Sequence, residues 1–127
     1  MEIVRTMLER FSGGDYEAAL ATIHPEVVWE DPGLIPGRGI HHGHHGLSKW
    51  FSRWLGAWDN FVSEPVELID AGNQVVVIER MRGRGRQSGV AVDRTVISRY
   101  VVRDGQVVER IDHSSRDEAL EAAGLSE

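Results

Sequence analysis

Apolar residues recur at helical spacing in two stretches of the chain and predict two amphipathic helices. The first predicted helix ends at Gly13-Gly14, and its apolar stripe consists of Ile3, Val4, Met7, Leu8 and Phe11. The second begins near Leu47, with an apolar face formed by Leu47, Trp50, Phe51, Trp54, Leu55 and Trp58. Between them, a short helix is predicted over residues 16–23, capped by Asp15 and ended by His24-Pro25. Five glycines and two prolines in residues 32–46 predict a loop.

The second half of the chain is rich in residues that favour β-strands. A strand at Val27-Trp29 precedes four further predicted strands, which cover residues 66–70, 74–86, 90–103 and 106–114. Asp104-Gly105 is a strong signal for a two-residue hairpin turn. Gly83 and Gly85 fall inside a strand pattern and predict a bend or bulge. Ser115–Glu118 has the sequence of a capping box, which opens a last short helix that Gly124 ends. The order of elements predicts one α+β domain over residues 1–127, with antiparallel strands curling around the helices.

Composition narrows the classes of function. The 127 residues include 14 Lys and Arg against 20 Asp and Glu, a formal net charge of −6, which argues against a nucleic-acid binder. The absence of cysteine excludes disulfides, thiolate metal sites and a cysteine nucleophile. No apolar run reaches the roughly 20 residues that a membrane span needs. We therefore expect a cytoplasmic protein that binds neither nucleic acid nor membrane.

Landmarks along nearly the whole chain resemble the SnoaL-like branch of the nuclear transport factor 2-like superfamily. They are Gly14-Asp15 with Glu17–Leu20, His24–Val27, Trp29–Pro32, His42-Gly43 with Gly46, the Trp-rich helix, Asp70–Gly72, Arg103–Gly105 and Glu118–Leu120. The resemblance implies a curved antiparallel sheet wrapped around a long helix, the cystatin-like α+β barrel, whose cone-shaped interior is the usual ligand site. It also implies a homodimer formed through the sheet. Members of the superfamily include isomerases, cyclases, dehydratases, epoxide hydrolases and non-catalytic proteins, so the fold alone does not select an activity.

Two aspartates are candidate catalytic groups by this resemblance. Asp31, in Val28–Pro32, resembles the general base of ketosteroid isomerase, and a carboxylate beside an indole in an apolar cone would be poorly solvated, which raises its pKa. The alternative is that Asp31 accepts backbone N–H groups of the following loop. Asp112 falls where epoxide hydrolases of this fold carry the Asp that activates water.

The catalytic sets of both relatives are incomplete in this sequence. Arg80 resembles the Arg of the hydrolase triad, but Arg82 stands where that triad has an Asp. The isomerase oxyanion hole needs a Tyr and a protonated Asp, and the nearest matches are Met7 and Ile97, which donate no hydrogen bond.

A different set of polar side chains remains. Because alternate strand residues share a face, Arg80 and Arg82 form one group, and Arg110, Asp112 and Ser114 form another. If both groups face the cone, they suit a ligand with a carboxylate, enolate or quinone-like oxygen. The alternative is a ladder of structural ion pairs on the outside of the sheet.

Histidines and tryptophans complete the candidates. Adjacent histidines in the glycine-flanked cluster His41–His45 diverge and offer no pair of ligands on a helix, so we predict no metal; the resemblance places His41 or His42 at the pocket mouth as a ligand contact. Trp29 and Trp50 flank the expected cone, and Trp54 lies on the same predicted helix as Trp50. For each of these tryptophans, packing in the core is the alternative role.

These features predict a pocket for a flat, apolar, oxygenated molecule, with acid–base catalysis of isomerase, cyclase or hydrolase type that uses no cofactor. Asp31, Asp112, Arg80 and Arg82 are its candidate catalytic residues. Its candidate ligand contacts are Trp29, Trp50, Trp54, His41, Ile97, Arg110 and Ser114. The alternative is a non-catalytic ligand-binding or dimerisation module of the same fold.

Overall fold

A computed structural model of the protein describes residues 1–34 and 39–125. Its elements, in chain order, are α1 (Glu2–Ser12), α2 (Tyr16–Leu20), β1 (Ile23–Glu30), β2 (Ile40–His42), α3 (Gly43–Ala57), β3 (Trp58–Asp70), β4 (Gln74–Gly85), β5 (Ala91–Arg103), β6 (Gln106–His113) and α4 (Arg116–Ala122). The predicted α+β class is confirmed. No helix within these two ranges combines the length and the apolar character needed to cross a membrane.

The strands form a curved sheet that does not close on itself, in the order β2-β1-β6-β5-β4-β3. Neighbours in this described sheet pair antiparallel except β1 and β6, whose parallel pairing corrects the expectation of a wholly antiparallel sheet. Helices α1 and α3 pack against the inner face, where they bury the main hydrophobic core. Helix α4 lies on the outer face, where Ala119 and Leu120 pack with Val76 in a second, smaller cluster.

Strand β1 begins earlier than predicted and takes over the end of the predicted second helix. Helix α2 ends at Leu20, and His24-Pro25 lies inside β1 instead of ending a helix. Proline is tolerated there because the pairing of β1 with β6 shifts register between Ile23 and Val28, so its missing N–H interrupts no regular ladder.

The segment predicted as a loop over 32–46 contains the short strand β2 and the first turn of α3. Helix α3 begins at Gly43, not near Leu47. Gly43 has a positive φ of 70°, and a Cβ there would lie 3.0 Å from the carbonyl oxygen of Pro25. The His44 ring nitrogen Nε2 hydrogen-bonds the Ile23 carbonyl oxygen at 2.7 Å and joins this turn to β1.

Strand β3 begins at Trp58 rather than at Val66. It is an edge strand with a register shift between Asp59 and Val62, and Asn60 has a positive φ of 54°. Asp, Asn and Pro in this stretch favour a loop, but pairing with β4 overrides that local preference. Gly83 of β4 serves close packing, since a Cβ there would lie 3.1 Å from the Trp58 ring.

Candidate functional site

The inner face of the sheet and helices α1 and α3 enclose a cavity of about 340 Å³. Its wall is mostly aromatic, with Phe11, Tyr16, Trp29, Trp50, Phe51, Trp54, Phe61 and Tyr100 in the lining. Two charged residues, Glu79 and Arg110, also line it, together with Ser63. The cavity therefore combines a large apolar surface with two buried charged side chains, which is typical of small-molecule sites.

The alternation of β4 places one of these charges inside. Val75 and Val77 belong to the main core, and the inward face continues through Glu79 and Met81. The opposite parity carries Arg80 and Arg82 to the outer face. Strand pairing thus puts a carboxyl group among the inward residues of an otherwise apolar run.

Glu79 is 5% exposed, and the Ser63 hydroxyl donates a hydrogen bond of 2.7 Å to its Oε2. Burial raises the pKa of Glu79 above its ordinary value, while Ser63 and the Arg110 cation oppose that rise. A buried carboxyl with a raised pKa can bind and release a proton nearer to neutral pH than an exposed one.

Arg110 is 2% exposed and occupies the inward face of β6. Its Nε donates to the Tyr100 hydroxyl at 3.3 Å, Nη1 donates to the Glu30 carbonyl oxygen, and Nη2 lies 3.7 Å from Asp112 Oδ1. Its guanidinium carbon lies 5.7 Å from the Trp29 ring centroid and 5.9 Å from that of Tyr100. Burial lowers the pKa of Arg110, but its acidic neighbours outweigh burial and the net direction is upward. Arg110 therefore remains a cation.

Tyr100 contributes a further polar group to the wall. Burial raises the pKa of its hydroxyl, so the group is a neutral O–H at physiological pH. Because the hydroxyl oxygen accepts from Arg110, its own hydrogen is free to point toward another acceptor. Glu79 offers a proton acceptor and the Tyr100–Arg110 pair offers a donor backed by positive charge, an arrangement suited to acid–base chemistry.

Comparison with known families and structures agrees with the observed fold. A family model described as SnoaL-like domain matches residues 4–110. The chain belongs to the SnoaL-like family. This confirms the resemblance drawn from the sequence. No curated protein matches the sequence.

Three solved structures illustrate the fold of this SnoaL-like domain. An NTF2-like protein of unknown function from Burkholderia pseudomallei is 23% identical with a TM-score of 0.80, covering 95% of this chain and 94% of the other. A Sinorhizobium meliloti protein with a suggested polyketide cyclase activity is 24% identical with a TM-score of 0.74, covering 89% and 94%. TerC, co-crystallised with polyporic acid, is 21% identical with a TM-score of 0.77, covering 97% and 96%. At these identities the likeness shows the fold alone.

The cavity of the SnoaL-like domain contains some of the side chains that the sequence singled out. Trp29, Trp50, Trp54 and Arg110 all line it, and their contact with a ligand stays a prediction. Asp112 follows Arg110 on β6 at the next inward position, beside Ser98 of β5, and its backbone N–H donates to Glu30 Oε1 at 3.2 Å. Asp112 is not among the described residues that line the cavity. It contacts Arg110, which does line it.

Arg80 and Arg82 do not face the cavity, which corrects the hypothesis that they join Arg110 there. Arg80 forms a two-bond ion pair with Asp93, at 3.0 and 2.7 Å, and Arg82 pairs with Glu64. The inward residues of β4 are the odd-numbered ones, so both arginines lie on the solvent side. They form the ladder of ion pairs that was the alternative.

Two predicted ligand contacts also lie elsewhere. Ile97 pairs with His113 and Ile78 on the outer face and packs near α4, so it cannot line the cavity. Ser114 follows the end of β6, where it is exposed and donates to Glu118 Oε2 at 2.8 Å. Strand parity explains the position of Ile97 on the outer face, and the end of β6 at His113 explains that of Ser114.

Asp31 is 1% exposed, but its carboxylate is fully engaged by the loop that follows it. Oδ1 accepts from the Gly33 N–H at 2.8 Å, and Oδ2 accepts from the Gly39 N–H at 2.9 Å and contacts His41 Nε2 at 2.8 Å. Neither Asp31 nor His41 lines the described cavity; the His41 ring instead packs against Trp50 at 5.6 Å. This geometry matches the alternative in which Asp31 holds the loop.

Two further histidines, His24 and His113, contact protein groups. His24 Nδ1 accepts from the Glu26 N–H at 3.0 Å, and His113 on the outer face contacts Glu118 at 2.8 Å. Within residues 1–34 and 39–125, no group of three or more potential ligands is arranged to hold a metal ion.

Three polar residues of the cavity wall were not predicted from the sequence: Glu79, Ser63 and Tyr100. Glu79 could have been found from its pattern, since it is the single acid in the apolar run Val75–Met81 and shares parity with the valines of the core. Ser63 was not recognised as an inward strand residue, because the strand that contains it was predicted to begin at residue 66.

Replacing Glu79 by glutamine should change how stability depends on pH. A raised folded-state pKa means that the contribution of Glu79 is fully present below its unfolded pKa of about 4.3 and is lost as pH rises through the folded pKa. Glu79→Gln abolishes this loss. The free energy of unfolding of the variant should therefore increase relative to that of the wild type as pH rises. Urea unfolding between pH 4 and 8 measures the difference.

The matched control is Glu67→Gln on the outer face. The Arg116 guanidinium hydrogen-bonds Glu67 and lowers its pKa, so this carboxylate stabilises the fold above its unfolded pKa and loses that effect as pH falls. The free energy of unfolding of the control should therefore decrease relative to that of the wild type as pH rises, a change opposite in sign to that of Glu79→Gln. A difference independent of pH for Glu79→Gln would contradict a raised pKa.

Proposed function

We propose that the cavity binds a flat, largely apolar small molecule with an oxygen substituent, and that Glu79 exchanges a proton with it. In this proposal the ligand lies between the aromatic rings, with its oxygen toward the Tyr100–Arg110 pair. The observation that carries the proposal is the buried Glu79 carboxyl on the wall of an aromatic cavity that also contains a buried cation. Membership of the SnoaL-like family supports it, as do the suggested cyclase activity and the polyporic acid of two structural neighbours.

The proposed chemistry is general acid–base catalysis of isomerase, cyclase or hydrolase type. Ionised Glu79 removes a proton from carbon or oxygen of the ligand, and the electron pair moves onto the ligand oxygen. The Tyr100 O–H donates to that oxygen, and the Arg110 cation stabilises the charge that develops there. Protonated Glu79 then returns the proton to a different position or to the same one. The proposed reaction uses no cofactor. We also propose that the protein forms the homodimer that the family resemblance implies.

Hydrogen exchange of a simple ketone tests this chemistry without knowledge of the natural substrate. 2-Tetralone is flat, mostly apolar and enolisable, so Glu79 can remove its α-proton while the oxygen faces Tyr100. In D₂O, the wild type should accelerate deuterium incorporation, followed by NMR, by at least about 100-fold over Glu79→Gln. Arg82→Gln, which removes an exposed outer-face cation, should exchange at the wild-type rate.

Binding separates the catalytic proposal from a ligand carrier. Polyporic acid and 2-tetralone should each quench the tryptophan fluorescence of wild type and Glu79→Gln saturably, since Trp29, Trp50 and Trp54 line the cavity. Binding without any exchange would contradict the acid–base step and favour the non-catalytic alternative. No binding of either compound would contradict the cavity as a ligand site.

A further inference from the structure

The two charges in the cavity wall differ in how far protein groups already satisfy them. All three nitrogens of Arg110 are directed at protein oxygens, those of Tyr100, Glu30 and Asp112. The rings of Trp29 and Tyr100 lie within 6 Å of the guanidinium. Protein groups therefore already hold Arg110 through two hydrogen bonds and one ion pair, and they compensate part of its charge.

Glu79 is satisfied less completely. Ser63 is its single hydrogen-bond donor in the described part of the chain, and it contacts Oε2. A carboxylate accepts several hydrogen bonds, so Oε1 has capacity for a donor from a ligand in the cavity. An anionic ligand cannot supply that donor and would be repelled by ionised Glu79. A ligand N–H or O–H would supply it.

The aromatic wall next to Glu79 favours a positively charged donor. Phe61 lies two residues before Ser63 on β3, and its ring is 5.1 Å from that of Trp54, which is 5.1 Å from that of Trp50. All three rings line the cavity together with Ser63 and Glu79. The faces of such rings attract cations, and the attraction increases when water is excluded. A buried carboxylate bordered by aromatic rings is a suitable site for an ammonium group.

We propose that the natural ligand carries a basic nitrogen on its apolar body and binds as an ammonium ion, with its N–H directed to Glu79 Oε1 and its charge beside Trp50, Trp54 and Phe61. This inference rests on the proposed function, because it places the ligand in the same cavity. It adds the chemical class of the group that faces Glu79.

A set of three naphthalene derivatives tests the charge preference with one ring system. The probes are 2-naphthylmethylamine, 2-naphthylmethanol and 2-naphthoate, titrated into wild-type protein by isothermal calorimetry at pH 7.5. The amine should bind at least tenfold more tightly than the alcohol, and the naphthoate should bind least. Equal affinity of amine and alcohol, or tightest binding of naphthoate, would overturn the proposal.

Glu79→Gln should abolish the advantage of the amine while changing the affinity for the alcohol less than about threefold. Circular dichroism and a thermal melt establish that the variant is folded. A measurement on the wild type alone avoids that dependence: the ratio of amine to alcohol affinity should rise with pH through the range in which Glu79 ionises, since burial raises the pKa of this carboxyl and the amine stays protonated. A constant ratio would overturn the proposal.

The outcome for the alcohol distinguishes this inference from the proposed function. If the alcohol binds and the amine has no advantage, the cavity is a ligand site and the ammonium proposal alone is wrong. If none of the three probes binds, both are wrong. An advantage of the amine that persists in Glu79→Gln would place the cation elsewhere and would also overturn the proposal.

Discussion

Arg110→Met is expected to lower the free energy of unfolding by about 3–5 kcal/mol, because a buried, hydrogen-bonded cation is removed from its partners. The Glu30 carbonyl oxygen, the Tyr100 hydroxyl and Asp112 each lose a contact with the guanidinium. Glu79 also loses the cation that favours its ionised form. Methionine matches the length of the arginine stem and keeps the contact with Trp29, so the loss reports on charge and hydrogen bonds more than on packing.

The matched control for this loss is Arg82→Met on the outer face. Arg82 and Glu64 are both about half exposed, and such pairs contribute less than about 1 kcal/mol because water and salt screen them. Urea unfolding at pH 7.5 measures both variants. The deficit of Arg110→Met should shrink as pH falls and Glu79 becomes protonated, because burial raises the pKa of this carboxyl and its neutral form needs no nearby cation. An equal, small effect for both arginines would contradict a structural role for Arg110.

The helices were predictable wherever one face meets the core. The apolar spacing of α1 and α3 follows directly from burial against the sheet, and Val4, Met7, Leu47 and Trp50 are all buried as that spacing requires. Local chemistry also located the Asp104-Gly105 turn, whose residues both have positive φ, and the Ser115 cap, whose hydroxyl accepts from the Glu118 N–H at 3.1 Å. These signals are local and need no knowledge of the rest of the chain.

Features that depend on pairing between distant strands were not predictable. The segment Trp58–Pro65 lacks alternation because β3 is an edge strand with one face in water, and its partner β4 supplies the hydrogen bonds that make it a strand. The parallel contact of β1 with β6 joins residues about eighty positions apart, and no local pattern indicates it. Both features help to position the cavity.

The aromatic wall of the candidate site was predictable from the sequence. Some of its charged groups were not. Parity along β4 follows from the sequence, but which parity faces the helices does not, so the sequence left open whether Arg80 and Arg82 lie beside Arg110, where the structure has Glu79. The valines at 75 and 77 share parity with Glu79, but Val76 and Ile78 make the opposite face equally apolar. Only the packing of α4 on that outer face explains the second apolar row.

Asp31→Ala is expected to cost about 3 kcal/mol of unfolding free energy, since the N–H groups of Gly33 and Gly39 and the ring of His41 lose the buried carboxylate that they share as an acceptor. Asp31→Asn should cost less, about 1–2 kcal/mol, because its amide oxygen replaces one carboxylate oxygen while its NH₂ faces a donor. Asp104→Asn is the control, because asparagine tolerates the positive φ of this exposed turn and should change stability by less than about 0.5 kcal/mol.

The same variant also decides between two roles for Asp31. If Asp31 holds the loop, Asp31→Asn loses stability but keeps the exchange rate of 2-tetralone within about threefold of the wild type at a temperature where both are folded. If Asp31 is the general base that the ketosteroid isomerase resemblance implies, exchange falls by about 100-fold or more. The structure favours the first result, because within the described residues the hydrogen bonds to the carboxylate come from Gly33, Gly39 and His41, while Glu79 lines the cavity. Loss of exchange in Asp31→Asn with full exchange in Glu79→Gln would reverse the assignment.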